Sequence, residues 1–204
     1  MKMYHLLSGL LRVNCYVLVN DLGEAVVIDG GENYKKIKQT EQEYGFKIKA
    51  VLLTHAHFDH SLSAKKLQDD GAKIYISKID APKLLNDGHL GGNFGRKFEP
   101  VVADYTFSDG DVLTICGFEF KVFITPGHTD GSACFLLGNA LFTGDTLFLE
   151  SVGRTDFPTG DKEQLISSVK RLYALPGDYT VYPGHAEFTT LEHERKYNTF
   201  VDYD

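Results

Sequence analysis

Residues 54–60 read THAHFDH, three imidazoles and one carboxylate within seven positions, directly after the apolar run VLL. Imidazole nitrogens and carboxylate oxygens together are the donor set of zinc and related divalent cations. If VLLT is a strand, His55 and His57 sit two residues apart on its continuation and point the same way. Asp59 and His60 then open a helix, where an acidic side chain suits the exposed N–H groups. Four donors thus crowd one strand-to-helix corner, two able to face one point and two a neighbouring point. At this chain's own His and Asp frequencies the pattern HxHxDH arises by chance on the order of once per thousand chains of this length.

Two cations need more donors than this corner supplies. Three further candidates stand at the ends of strand-like runs: His128 in TPGH, Asp145 in ALFTGD and His185 in TVYPGH. Each follows a glycine, which lets the backbone turn sharply and pass close to a bound ion. With the corner they make a set of seven.

The elements that must position this set read as follows. CYVLVN (15–20) and AVVID (25–29) are β-branched runs joined by the turn DLG. Residues 33–44 form a surface helix ended by Gly45. KAVLLTH (49–55) is a buried strand, 59–70 a helix stopped at Gly71, AKIYIS (72–77) a strand, and 79–85 a short helix. Residues 86–97 hold four glycines in twelve positions and read as a flexible surface connector, with a lid over the site as the alternative. DVLTI, FEFKVFIT, SACFLLG and ALFTGD continue as strands, and 161–175 has the apolar spacing of an amphipathic helix. A last strand, YTVYPGH, and a last helix, 190–198, close the chain. This order of strands, strand–helix units, strands and strand–helix units fits a two-sheet core with helices outside.

The 204 residues, 43% hydrophobic and 24% charged, are ordinary for one globular domain over 1–204. A net charge of −7 argues against a nucleic-acid partner. The three cysteines (Cys15, Cys116, Cys134) show no CxxC spacing, so a reducing compartment is expected, with Cys15 and Cys134 filling apolar strands. No signal peptide and no membrane-length apolar run is evident, so a cytoplasmic location and no membrane partner are expected.

HxHxDH, GH, GD and GH in this order and spacing resemble the metallo-β-lactamase superfamily, from VVIDGG to the C-terminal helix. The resemblance implies an α+β fold, a four-layer αββα sandwich of two mixed sheets packed face to face, with a dinuclear centre at one edge. It assigns His55, His57 and His128 to one metal and Asp59, His60 and His185 to the second, with Asp145 bridging. GDTLFLESVGRTDFPTGD and PGHAEFTTLEHERKYN look like the glyoxalase II group, hydroxyacylglutathione hydrolases, in a short form without the added helical domain. Two divalent ions follow, zinc first, iron or manganese as alternatives.

The chemistry expected is thioester hydrolysis by a hydroxide bridging the two ions, with a small-molecule substrate of the S-acylglutathione kind. Asp59 doubles as ligand and orienting carboxylate. A thiol leaves as thiolate near neutral pH without a strong acid behind it, and the motifs offer no additional acid. Arg154 in SVGRTDF is placed to take a substrate carboxylate; the basic residue at the matching place in glyoxalase II contacts glutathione. Asp29 and Asp130 are candidates to hold the far nitrogens of liganding histidines. His5, His89 and His193, with Arg96 and Lys97, read as surface or self-satisfied groups. The competing activity is an iron-dependent persulfide dioxygenase using His55, His128 and Asp145, because imidazole suits zinc and iron alike.

Overall fold

The computed structural model describes residues 1–202. The N-terminal half begins with β1 (Lys2–Ser8), β2 (Val13–Val19) and β3 (Glu24–Ile28), an antiparallel meander. Helix α1 (Tyr34–Tyr44) then leads to β4 (Lys47–Leu52), and α2 (Phe58–Ser61) and α3 (Ala64–Asp69) lead to β5 (Lys73–Ser77). With β6 (Tyr105–Phe107) these strands make a six-stranded sheet in the order β1-β2-β3-β4-β5-β6, parallel from β3 onward.

The second sheet takes β7 (Val112–Ile115), β8 (Phe118–Ile124), β9 (Ala133–Leu137) and β10 (Ala140–Gly144) as an antiparallel run. A small ribbon, β11 (Leu147–Phe148) with β12 (Ser151–Val152), and helix α4 (Lys162–Tyr173) follow. The chain returns as β13 (Thr180–Pro183) and β14 (Thr189–Thr190) and ends in α5 (Leu191–Tyr197). The sheet order is β14-β13-β10-β9-β8-β7, with β13 parallel to β10.

Side-chain alternation builds the layers. On β2, Tyr16 and Leu18 join Val26, Ile28, Phe120, Phe135 and Phe142 between the sheets. Cys15, Val17 and Val19 point the other way and meet Ile37 of α1 and Leu67 of α3. On the far side, Cys134, Leu136 and Leu141 pack beneath Val169 and Leu172 of α4 and Leu191 of α5. Two mixed sheets with helices on both outer faces are the αββα sandwich expected. All three cysteines are free thiols, with Cys15 and Cys134 buried. No helix among the described residues is long and apolar enough to cross a membrane.

Three local expectations need correcting. The helix read over 59–70 is two pieces, because the Ser63 N–H is drawn to Gly31 O (2.7 Å) and Gly31 N–H donates to His60 O (2.8 Å). These bonds stitch the loop after β3 onto the THAHFDH corner. Strand β1 went unread, since only Leu6 and Ser8 of it are buried and the alternation is weak. Residues 86–97 are not a plain connector. They fold into two 3-10 turns around a buried His89, which stacks on Phe98 at 3.8 Å, and Arg96 pairs with Glu32 at 2.8 Å.

Candidate metal centre

Every donor in the expected set leaves the C-terminal end of a strand at the same edge of the sandwich, the position where strand-end loops converge. His55, His57, Asp59 and His60 follow β4; His128 follows β8; Asp145 follows β10; His185 follows β13. His55 Nε2 lies 3.1 Å from His57 Nδ1, which lies 2.9 Å from His128 Nε2. His60 Nε2 is 3.7 Å from Asp59 Oδ2, and His185 Nε2 is 3.5 Å from the same oxygen. Asp145 touches both groups, through Oδ1 to His60 Nε2 (3.3 Å) and Oδ2 to His128 Nε2 (3.5 Å) and His185 Nε2 (3.6 Å). Three overlapping trios result: His55/His57/His128, His55/His60/Asp145 and Asp59/His60/His185, each with donor atoms within 4.8 Å of one another.

Two glycines permit this convergence. A Cβ at Gly184 would lie 2.3 Å from Asp145 Oδ1, and one at Gly144 (φ 49°) would lie 2.5 Å from Thr54 Oγ1. Any larger residue would push the donors apart.

The outward nitrogens are tied down, which aims the inner ones. Asp29 Oδ2 is 3.0 Å from His60 Nδ1 and also accepts from Thr54 Oγ1 at 2.7 Å. His55 Nδ1 meets Thr54 Oγ1 at 3.0 Å. His128 Nδ1 donates to Arg154 O (2.7 Å), and His185 Nδ1 to Leu11 O (3.0 Å). Asp130 does not serve a histidine. Its carboxylate is half exposed and pairs with Lys83. The supporting carboxylate on that side is Asp80, fully buried, which accepts from Ala56 N–H (2.9 Å) and Thr129 Oγ1 (3.1 Å) and so links the two histidine loops. Nothing around Asp80 in the sequence marks it.

Asn14 was also missed as a site residue. Fully buried, it donates to Pro183 O and Ala186 O, each at 3.0 Å, on either side of His185. The signal was a lone amide inside VNCYVLV, every residue of which is buried. Arg154 is bidentate to Asp156 (2.7 and 2.6 Å) and lies over the Phe157 ring, 3.9 Å from its centroid. It lines a cleft of about 390 Å³ that opens onto His57, Asp59, His128, Asp145 and His185. Leu90 and Phe94, from the glycine-rich segment, form part of its apolar wall.

The charge states fit cation binding. Burial, reinforced by neighbouring imidazoles, holds His55 well below the ordinary histidine range and His57 at about 3, so both present neutral lone pairs. Burial works against the charge of Asp145, yet His60 and His185 hold it well below the usual carboxylate range. Asp59 is likewise lowered, burial being overcome by His60 and His185. Burial would lower His60, but Asp145, Asp59 and Asp29 raise it well above the ordinary value. His185 is raised as well, Asp145 and Asp59 outweighing its burial. His60 Nε2 and Asp145 Oδ1 are buried without any hydrogen-bond partner. Orphaned buried polar atoms are costly, and a shared cation satisfies both. The donors present therefore fit metal binding.

The metallo-beta-lactamase superfamily model matches residues 8–185, and the chain belongs to that superfamily. A probable metallo-hydrolase of Streptococcus pyogenes serotype M6 is 36% identical, covering 98% of this chain and 90% of its own length. The hydroxyacylglutathione hydrolase GloC of Haemophilus influenzae is 35% identical, covering 93% of this chain and 92% of its own. Among solved structures, the BLEG-1 B3 metallo-beta-lactamase superposes with a TM-score of 0.88 at 32% identity, covering 98% of this chain and 99% of its own. TTHA1623 in a di-iron-bound form gives 0.87 at 33%, covering 97% and 100%.

Proposed function

We propose that this chain, read as one domain over 1–204, hydrolyses small-molecule thioesters of the S-acylglutathione type. His55, His57 and His128 would hold one divalent ion, Asp59, His60 and His185 a second, and Asp145 both. The observation that carries this reading is the chaining of three donor trios through His55 and His60, the middle trio holding Asp145, beside an open cleft that Asp145 lines. Bound there, the ions supply Lewis acidity and a water of lowered pKa, chemistry that zinc provides and that iron or manganese also supports.

The chain's own groups do the rest. Asp59, ionised and facing the cleft, accepts a hydrogen bond from the attacking water and orients it toward the carbonyl carbon. The C–O bond forms as the water's protons pass to solvent, the C–S bond breaks with its electron pair staying on sulfur, and the thiol departs as thiolate without a protein acid, leaving the carboxylate product. Phe94, Phe157 and Leu90 give that cleft an apolar wall and limit bulk water around the reacting ester. Arg154, at the rim, would meet a carboxylate of the thiol carrier. The similarity to GloC supports this substrate class. Three free thiols support a reducing, cytoplasmic setting.

The test is elemental analysis of protein purified without added metal, together with turnover of S-lactoylglutathione. Two metal equivalents with thioester cleavage are expected. One iron with oxygen uptake on glutathione persulfide, or preferential opening of a β-lactam, would replace the proposal with the corresponding activity.

A further inference from the structure

Beyond His185 the cleft continues into a second cavity of about 540 Å³. Leu11 and His185 line both spaces, so one ligand can occupy them together. The outer cavity has an apolar side, Leu7 and Phe188, and two exposed charged residues, Arg12 and Glu187, one on each chain segment that forms it. Neither charged side chain has a hydrogen-bond or ion-pair partner among the described residues. Arg154, by contrast, gives Nε and Nη2 to Asp156, which leaves Nη1 to meet a ligand.

A free cation and a free anion on one cavity complement a zwitterion. The thiol carrier of the proposed substrate has such a group: glutathione ends in an α-amino acid, with a carboxylate and an ammonium on one carbon. Its sulfur sits on the central residue, so its two arms run in opposite directions from the thioester. Three extended residues span roughly 10 Å, enough for the arms to lie on opposite sides of His185. We propose that the cavity beyond His185 is the subsite for the α-amino-acid end of the carrier, Arg12 taking the carboxylate and Glu187 the ammonium. The glycyl arm then lies on the Arg154 side. This assignment rests on the thioesterase reading and specifies how the carrier is recognised.

The test uses the metal-loaded full chain as wild type, Arg12→Gln and Glu187→Gln. Two readouts separate the subsite from the activity. The first is the ratio of kcat/KM for an S-acylglutathione to that for the same acyl group on N-acetylcysteamine, which has no charged end. Each variant is expected to lower this ratio about tenfold, the effect of losing one charge-assisted contact, mainly through KM. The second is calorimetric binding of S-methylglutathione, a thioether that cannot be hydrolysed, which should weaken to a similar degree. Thioester turnover with an unaltered ratio and unaltered binding in both variants would overturn the subsite and leave the activity standing. Binding of S-methylglutathione that depends on Arg12 and Glu187, with no thioester cleaved, would uphold the subsite and overturn the activity.

Discussion

His55 and His57 look out on other imidazoles, whereas His60 and His185 look out on carboxylates. The first pair is pressed to the neutral form, the second toward the protonated form. In the metal-free protein one side of the centre is thus a ready set of lone pairs. The other sets imidazoles against carboxylates, which favours the protonated form of His60 and His185. A metal bound by the His55 side would need little proton displacement, whereas one bound by the His60 side would compete with protons on His60 and His185.

Asp145 is the residue that joins the two sides, and its removal breaks the comparison most severely. Loss of an outer partner of a ligand costs about 10–100-fold in affinity or activity. Asp145→Ala, which removes contacts to both sides, should therefore cost more than about a hundredfold in activity. Both metals should fall below stoichiometric in elemental analysis; retention of two would show that Asp145 does not bridge.

The next effect is a proton count. Titrating metal into the empty protein near pH 7, in buffers of different ionisation enthalpy, should show clear proton release for one equivalent and little for the other. Equal release from both would show that the two sides do not differ in protonation. The stability of the empty protein carries the same signature. Raised histidine values mean that the His60 and His185 contribution is complete below the ordinary histidine range and is lost as pH rises through their raised values. The lowered Asp59 and Asp145 act oppositely, contributing above the ordinary carboxylate range and losing it as pH falls through their lowered values. The metal-free melting temperature should therefore decline above neutral pH, while metal affinity rises over the same interval.

Asp29→Asn should weaken metal binding about 10–100-fold, and on the His60 side in preference to the His55 side, as read by competition with a chelator. Asp130→Asn should be nearly silent, within about 0.5 kcal/mol in denaturant unfolding, because its half-exposed carboxylate touches no histidine and Lys83, its partner, keeps its pairing with Asp80.

Much of this centre was legible because its donors sit in local patterns. HxHxDH, GH and GD are short, and glycine marks the turns before His128, Asp145 and His185, where a Cβ would collide with a neighbour. The two-sheet architecture followed from the order of strand–helix units and of short apolar runs such as β2, β3, β9 and β10, which are buried almost throughout. What escaped depends on contacts between distant segments. Asp80 and Asp130 are both acidic residues in polar loops, and only the fold shows that the first lies beneath Ala56 and Thr129 while the second faces outward. The break between α2 and α3 is equally non-local, set by Gly31 rather than by any helix breaker at Leu62 or Ser63. The glycine-rich segment looked loose because glycine raises chain entropy, yet a buried imidazole and an Arg96–Glu32 pair hold it in place.

The amide of Asn14 grips the turn of His185 across 169 positions of sequence. A contact of that span carries a large loop-closure cost and forms only when most of the intervening chain is in place. The rim of the centre is therefore assembled late, after both sheets exist to bring β2 and β13 together. Until the two sheets meet, His185 lacks the amide that seats its turn, and any donor set that includes it stays incomplete.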